Sequence, residues 1–117
     1  MNKIYTLANC TTSQRILKDI NPGPEFVFQN IKEENITPEQ LDELYRMAGS
    51  YEALFSKRAL KYKEWGLNKM DLSEEDYRRY ILEEYTFLKR PVIINGEEIF
   101  IGNAPKVVEA AKKAISG

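Results

Sequence analysis

Apolar residues recur along this chain at two different spacings, and the spacing switches several times from one end to the other. Ile4, Tyr5 and Leu7 give Lys3 to Leu7 the β-prone, apolar bulk of a short strand. From about Thr11 the period lengthens, so that Ile16, Leu17 and Ile20 fall on the buried side of a helix. Asn21-Pro22-Gly23-Pro24 stops that helix, because proline lacks a backbone N–H and clashes with the preceding turn. Phe26 to Ile31 returns to alternation, with Phe26, Phe28 and Ile31 expected inward and Val27 between them. A strand, helix and strand with a crossover of this length predict a parallel pair joined as a right-handed βαβ unit.

The middle of the chain is helical in pattern. Thr37 with Gln40 three residues on, and Pro38 between them, is a capping box with proline in the first turn. Leu41, Leu44, Tyr45 and Ala48 follow at helical spacing, and Gly49 ends the run. Ser50 caps a short helix carrying Tyr51, Leu54 and Phe55, and Ala59 to Trp65 adds a turn or two before Gly66. Ser73 opens a further helix whose first turn, Glu74-Glu75-Asp76, meets the positive end of its dipole; Tyr77, Ile81 and Tyr85 form its apolar side. Val92-Ile93-Ile94 and Ile99-Phe100-Ile101 then flank Asn95-Gly96, which predicts a hairpin on a type I′ turn. A closing helix from about Pro105 buries Val108, Ala111 and Ile115. The result is an α/β chain with a mixed four-stranded sheet flanked by helices. Trp65 and the tyrosines read as packing residues, since no basic groove is interleaved with them.

Composition narrows the function. At 117 residues and 43% hydrophobic content there is material for one domain with a real core. Seventeen basic residues against eighteen acidic ones leave no overall field for nucleic acid or an anionic membrane. No apolar run reaches the length of a membrane span, and the start lacks the pattern of a signal peptide. One cysteine cannot form an internal disulfide, which fits a reducing, cytoplasmic setting. There is no histidine, so Cys-His and Ser-His catalysis and the common zinc sites are excluded. No phosphate loop, dinucleotide fingerprint or EF-hand spacing occurs, and no metal or bound cofactor is expected. The acidic pairs read as solvated faces or dipole partners.

Cys10 is the residue with a physical reason to be reactive. As a type, lone cysteines are often buried and inert. Here, however, Thr11-Thr12-Ser13 follows, small and polar as at a helix start rather than inside an apolar stripe. The unpaired N–H groups and dipole of a helix start favour thiolate over thiol and hold an anion beside it. Pro91 stands at the first position of a strand, where a missing ladder donor is least felt, and X-Pro is the ordinary route to a cis peptide.

Ile4-Tyr5 before Cys10-Thr11-Thr12-Ser13, then Ser56-Lys57-Arg58 leading to Tyr62 and Trp65-Gly66-Leu67, then Leu88-Lys89-Arg90-Pro91 before an apolar strand, occur in a specific order. Completed by Gly102 and a terminal helix, this series resembles the arsenate reductase (ArsC) and Spx-type family over nearly the whole chain. The resemblance implies a single thioredoxin-like domain over residues 1–117, with an all-helical insertion at about 37–88 between strands 2 and 3. It implies Cys10 as the nucleophile toward a small oxyanion such as arsenate, with Thr11, Thr12 and Ser13 as the anion cradle. It also assigns Arg58 and Arg90 as oxyanion clamps and Pro91 as a cis proline. The implied reductant is glutathione, another thiol or a glutaredoxin-like protein. Read from the residues alone, Arg58 is a surface charge beside Lys57 and Lys61.

Three positions depart from the reductase pattern: Gln14 replaces an arginine, with Arg15 one step later, about 100° around the helix. Ser56 holds the place of a second arginine, whereas Arg58 matches the Spx-like branch; Asn103 closes a stretch lacking a third. Each lost donor removes about 2–4 kcal/mol of anion stabilisation. Spx-type regulators carry CxxC and bind RNA polymerase, which is the alternative function; Ser13 in the second position precludes their disulfide switch.

Overall fold

The βαβ opening forms one half of a four-stranded mixed sheet. In a computed structural model describing residues 1–116, β1 (Asn2–Thr6), α1 (Thr11–Ile20) and β2 (Val27–Asn30) come first, and β3 (Val92–Asn95), β4 (Glu98–Ile101) and α5 (Pro105–Ser116) close the chain. Between them lie α2 (Pro38–Ala48), α3 (Leu60–Glu64) and α4 (Glu74–Glu83), with 3₁₀ turns at Glu52–Leu54, Leu67–Lys69 and Tyr85–Phe87. The sheet order is β2-β1-β3-β4. β1 pairs in parallel with β2 and antiparallel with β3, and β3 pairs antiparallel with β4. This is the mixed four-stranded α/β sheet expected from the hydrophobic pattern. Among the described residues, no helix is long and apolar enough to cross a membrane.

Two compact units partition the chain: Met1–Glu34 with the segment from Arg90 onward, and Asn35–Lys89. In the sheet unit, Ile4, Tyr5 and Thr6 are buried in succession, as are Val92, Ile93 and Ile94. Successive strand residues face opposite ways, so these two central strands are covered on both faces, which explains the continuous apolar run Val92-Ile93-Ile94. One face is filled by α1 and α5: Ile4 and Ile93 from the sheet meet Ile16, Leu17, Ile20, Phe26 and Ala111, with Phe100, Val108 and Ile115 partly buried against them. Asn21 ends α1 in the left-handed region at φ 52°, its N–H donating to Leu17 O at 2.9 Å.

Strand β2 departs from expectation. Phe28, assigned inward, is 51% exposed, and Val27 is 61% exposed, whereas Gln29 is buried at 5%. As an edge strand with one neighbour, β2 does not have both its faces covered. The Gln29 amide spends its burial on a hydrogen bond to Glu34 O at 3.0 Å. The hairpin turn is also shifted by one residue. Asn95 pairs with Glu98, so Gly96 and Glu97 are the central residues rather than Asn95 and Gly96. Gly96 has φ 67° and Glu97 does not share a positive φ, which is the glycine-first pattern of a type II′ turn. A donor hydrogen bond from Gly96 N to Met1 O at 3.0 Å ties that turn to the start of β1.

The helical unit carries its own caps and core. Thr37 and Gln40 form the predicted capping box on α2, which Gly49 ends at φ 87°; Ser73 and Asp76 form another on α4. Ser50 Oγ accepts from Ala53 N–H at 2.9 Å. Phe55 stacks on Phe87 at 4.9 Å, both buried, as are Leu41, Leu44, Leu54, Leu67 and Ile81; the exposed Trp65 meets Phe87 edge-on at 5.4 Å. Asp42 joins three elements of this unit. Its Oδ1 accepts from Tyr51 OH at 2.6 Å and from Arg78 Nε at 2.8 Å, and its Oδ2 from Arg78 Nη2 at 3.1 Å.

Those hydrogen bonds, Arg78 first, hold the Asp42 carboxyl well below the usual range, at about 2. A depressed folded-state pKa contributes stability that is complete above the unfolded value of about 3.9 and lost as pH falls through the folded one. Asp42→Asn therefore lowers the thermal midpoint at neutral pH, and its deficit against wild type narrows between about pH 4 and pH 2. Thermal melts across that window check this, and a deficit that stays constant contradicts it.

Candidate active site

The thiol stands where the chain leaves the sheet and enters the first helix. After buried Leu7, residues 7–10 make a turn closed by the Cys10 N–H donating to Leu7 O at 3.0 Å. The Gln14 side-chain amide also donates to Leu7 O, at 3.4 Å. Cys10 is extended at φ −96°, ψ 110°, and its carbonyl accepts the Gln14 N–H at 3.0 Å, the first hydrogen bond of α1. It is thus the N-cap of the helix. That position ordinarily carries a Ser, Thr, Asp or Asn oxygen that accepts a first-turn N–H. Sulfur is a poor acceptor and closes no capping hydrogen bond of full geometry here, leaving the first-turn amides directed at the space beside it.

Cys10 is half-buried and free, and its thiol pKa lies below its ordinary value. Burial is the largest influence and pushes the thiol up. The Ser13 hydroxyl, the Ser13 amide, the Arg90 charge and the Thr12 amide together pull it further down. Ser13 is only 1% exposed, so its hydroxyl is fixed from beneath.

Sheet register explains how Arg90 reaches this place. Ile4 opposes Ile93 and Tyr5 opposes Val92. The pairing ends there, which leaves Arg90 two residues before β3 and Leu7 just after β1, and the Arg90 charge acts on the Cys10 sulfur. Arg90 is half-buried with its Nε buried, and the Arg90–Pro91 peptide bond is cis. Buried Pro91 accepts the Gly102 N–H at 2.9 Å through its carbonyl.

Cys10, Thr12, Ser13 and Arg90 are therefore brought together in one unit. Thr11 opens α1 and is exposed. Arg58 lies in the helical unit, exposed, between Phe55 and α3. Gln14, Arg15 and Asn103 are exposed, and Ser56 is half-buried with its N–H on Phe87 O at 2.7 Å. Among the described residues, no cluster of three metal-ligating side chains occurs. One residue escaped the sequence reading. Asn30 Oδ1 accepts from the Ala8 N–H and from the Lys32 N–H, both at 3.3 Å. The second is an Asx turn, a local signal available in Asn30-Ile31-Lys32; the first crosses from β2 to the Cys10 turn.

A thioredoxin-like sheet with a lowered-pKa thiol at the first helix defines the class of protein. The ArsC family model matches residues 5–111, and the chain belongs to that family. An arsenate reductase of Haemophilus influenzae is 24% identical over 108 residues, covering 90% of this chain and 93% of that one. The arsenate reductase of Vibrio cholerae superposes with a TM-score of 0.77 at 23% identity, covering 94% of this chain and 96% of that one. An arsenate reductase-related protein from Brucella melitensis gives 0.66 at 22% identity, covering 93% and 92%.

Iodoacetamide alkylation followed against pH reads Cys10 alone, because it is the only cysteine. Its midpoint is expected below the free-thiol value of about 8.5. Ser13→Ala, which removes the buried hydroxyl, moves the midpoint upward. A thiol that resists alkylation while folded contradicts the assignment.

Proposed function

We propose that this protein is a cytoplasmic, thiol-dependent oxidoreductase that acts on a small oxyanion such as arsenate. The observation that carries the reading is the half-buried Cys10 at a helix N-cap, its pKa drawn down by Ser13, Arg90 and Thr12 against the burial that raises it. The Cys10 thiolate attacks arsenic, forming an S–As bond as an As–O bond breaks and its oxygen leaves as water. The amides of Thr11, Thr12 and Ser13 cradle the remaining oxygens. Arg90 presents a planar fork of donors suited to a tetrahedral anion.

Reduction needs two electrons, and the chain has one thiol. An external thiol, glutathione or a glutaredoxin-like protein, attacks the Cys10 sulfur; an S–S bond forms, and the S–As electron pair stays on arsenic as arsenite. A second thiol then cleaves the mixed disulfide and restores Cys10. Ser13 cannot take either part, so the resolving sulfur comes from another molecule.

The alternative, a Spx-like protein that binds RNA polymerase with little turnover, draws on the replacement of arginine by Gln14, Ser56 and Asn103. Steady-state arsenate reduction with glutathione and glutaredoxin separates the two. The enzyme reading expects turnover that Cys10→Ser abolishes and Arg90→Ala reduces by about 10²–10³-fold in kcat/KM. Absent turnover, together with polymerase capture that survives Cys10→Ser, replaces it with the alternative.

A further inference from the structure

The turn that delivers Cys10 has little of its own to hold it. Ala8 and Asn9 are exposed, and the turn is closed at its base by the Cys10 N–H and the Gln14 amide on Leu7 O. The N-cap conformation of Cys10 depends on how this turn leaves β1. Rotating it would swing the sulfur away from the Thr12 and Ser13 amides without unfolding α1.

Asn30 supplies the missing tether. It is the last residue of β2, paired with Thr6, and its carbonyl accepts the Glu33 N–H at 3.2 Å and the Glu34 N–H at 2.9 Å. The Ile31 N–H extends the β1–β2 ladder onto Thr6 O at 2.9 Å. The backbone of Asn30 is thereby fixed against the end of β1, and its side chain starts from a rigid platform. From there Oδ1 accepts the Ala8 N–H at 3.3 Å, and its second partner, the Lys32 N–H at 3.3 Å, fixes the rotamer. A shorter side chain could not span this gap, and an apolar one would offer no acceptor.

We propose that Asn30 is a positioning residue of the active site, its side-chain oxygen holding the Ala8 N–H and so fixing the turn that presents the Cys10 sulfur to the first turn of α1. The proposal rests on the reading of Cys10 as the nucleophile. It adds a group outside the cysteine motif on which the reactivity of that motif depends.

Two substitutions remove the same hydrogen bond from opposite ends. Asn30→Ala deletes the acceptor. Ala8→Pro deletes the donor at the second position of the Leu7–Cys10 turn, the place in a turn that proline favours. The measurement is the pH profile of Cys10 alkylation by iodoacetamide, with circular dichroism confirming the fold of each variant. Each single substitution is expected to raise the midpoint by about half a unit and to slow alkylation at pH 7 about two- to threefold. In the Ala8→Pro background, Asn30→Ala is expected to add nothing, because the shared contact is already gone. Should Asn30→Ala fail to fold, the shift in Ala8→Pro alone still decides the matter. A low wild-type midpoint that neither substitution moves, or that the two move additively, overturns the proposal and leaves the reading of Cys10 standing. An ordinary wild-type midpoint removes that reading, and the proposal with it.

Discussion

The antiparallel pairing of β1 with β3 is the constraint on which the site depends. These strands come from opposite ends of the chain, and only their register sets Arg90 beside the turn that carries Cys10. A slip of one residue would shift Arg90 along the sheet by about 3.3 Å and turn it to the opposite face. Alternation of burial cannot hold the register here, because Ile4, Tyr5 and Thr6 on β1 and Val92, Ile93 and Ile94 on β3 are buried in succession, on both faces. One end holds it instead: Gly96 donates to Met1 O and to Asn2 Oδ1, both at 3.0 Å, where the chain leaves β3 beside the start of β1. Hydrophobic burial makes the sheet, and a few polar contacts at its margins decide where its charges fall.

Within that frame the thiol occupies a position that sequence usually gives to an oxygen. A serine or threonine N-cap is worth about 1 kcal/mol to a helix over alanine. Cysteine forgoes most of that, and the amides it leaves uncapped become groups that stabilise negative charge, on sulfur or on an anion beside it. The balance is not one-sided, since partial burial disfavours the thiolate more than any single donor favours it. It takes the hydroxyl and amide of Ser13, the Thr12 amide and the Arg90 charge together to turn the sum. Ser13 thus has a use at this position other than the resolving thiol it replaces: it is a buried donor to the sulfur.

Local chemistry was legible in the sequence and tertiary context was not. The capping box at Thr37, the helix start at Ser73, the glycine end of α2, the buried side of α1 and the parallel βαβ unit all appear where residue pattern placed them, because each depends on neighbours within a few positions. Phe28 was misassigned because alternation shows which residues share a face, not whether anything covers that face at a sheet edge. The hairpin turn was misplaced by one residue because Asn-Gly is a strong local signal. Pairing of Asn95 with Glu98 nevertheless moves Gly96 to the first central position. Cys10 could be singled out because its helix-start setting is local, and Arg90 only through the family resemblance carried by Arg before Pro. Asn30 was overlooked: its role exists only once β2 lies beside the turn, and a polar residue ending a strand is otherwise unremarkable.

Thiol activation and anion recognition are consequently set by different parts of the chain. Cys10 owes its position to a helix cap and a turn, Ser13 to burial under that cap, and Arg90 to a strand register and the proline that follows it. All of these are backbone features, and changing them disturbs the fold. Asn103, where a reductase-like chain would carry a further guanidinium group, is exposed and can be exchanged with little effect on packing; Gln14, at another such position, is exposed but also meets Leu7 O through its side-chain amide at 3.4 Å. A reactive cysteine can therefore persist in this fold while the number of donors available to an oxyanion changes by substitution at its surface. Similar folds at about a fifth to a quarter sequence identity are what such an arrangement permits. On the function proposed above, exposed positions set how many donors meet the anion, and the backbone sets where the thiol stands.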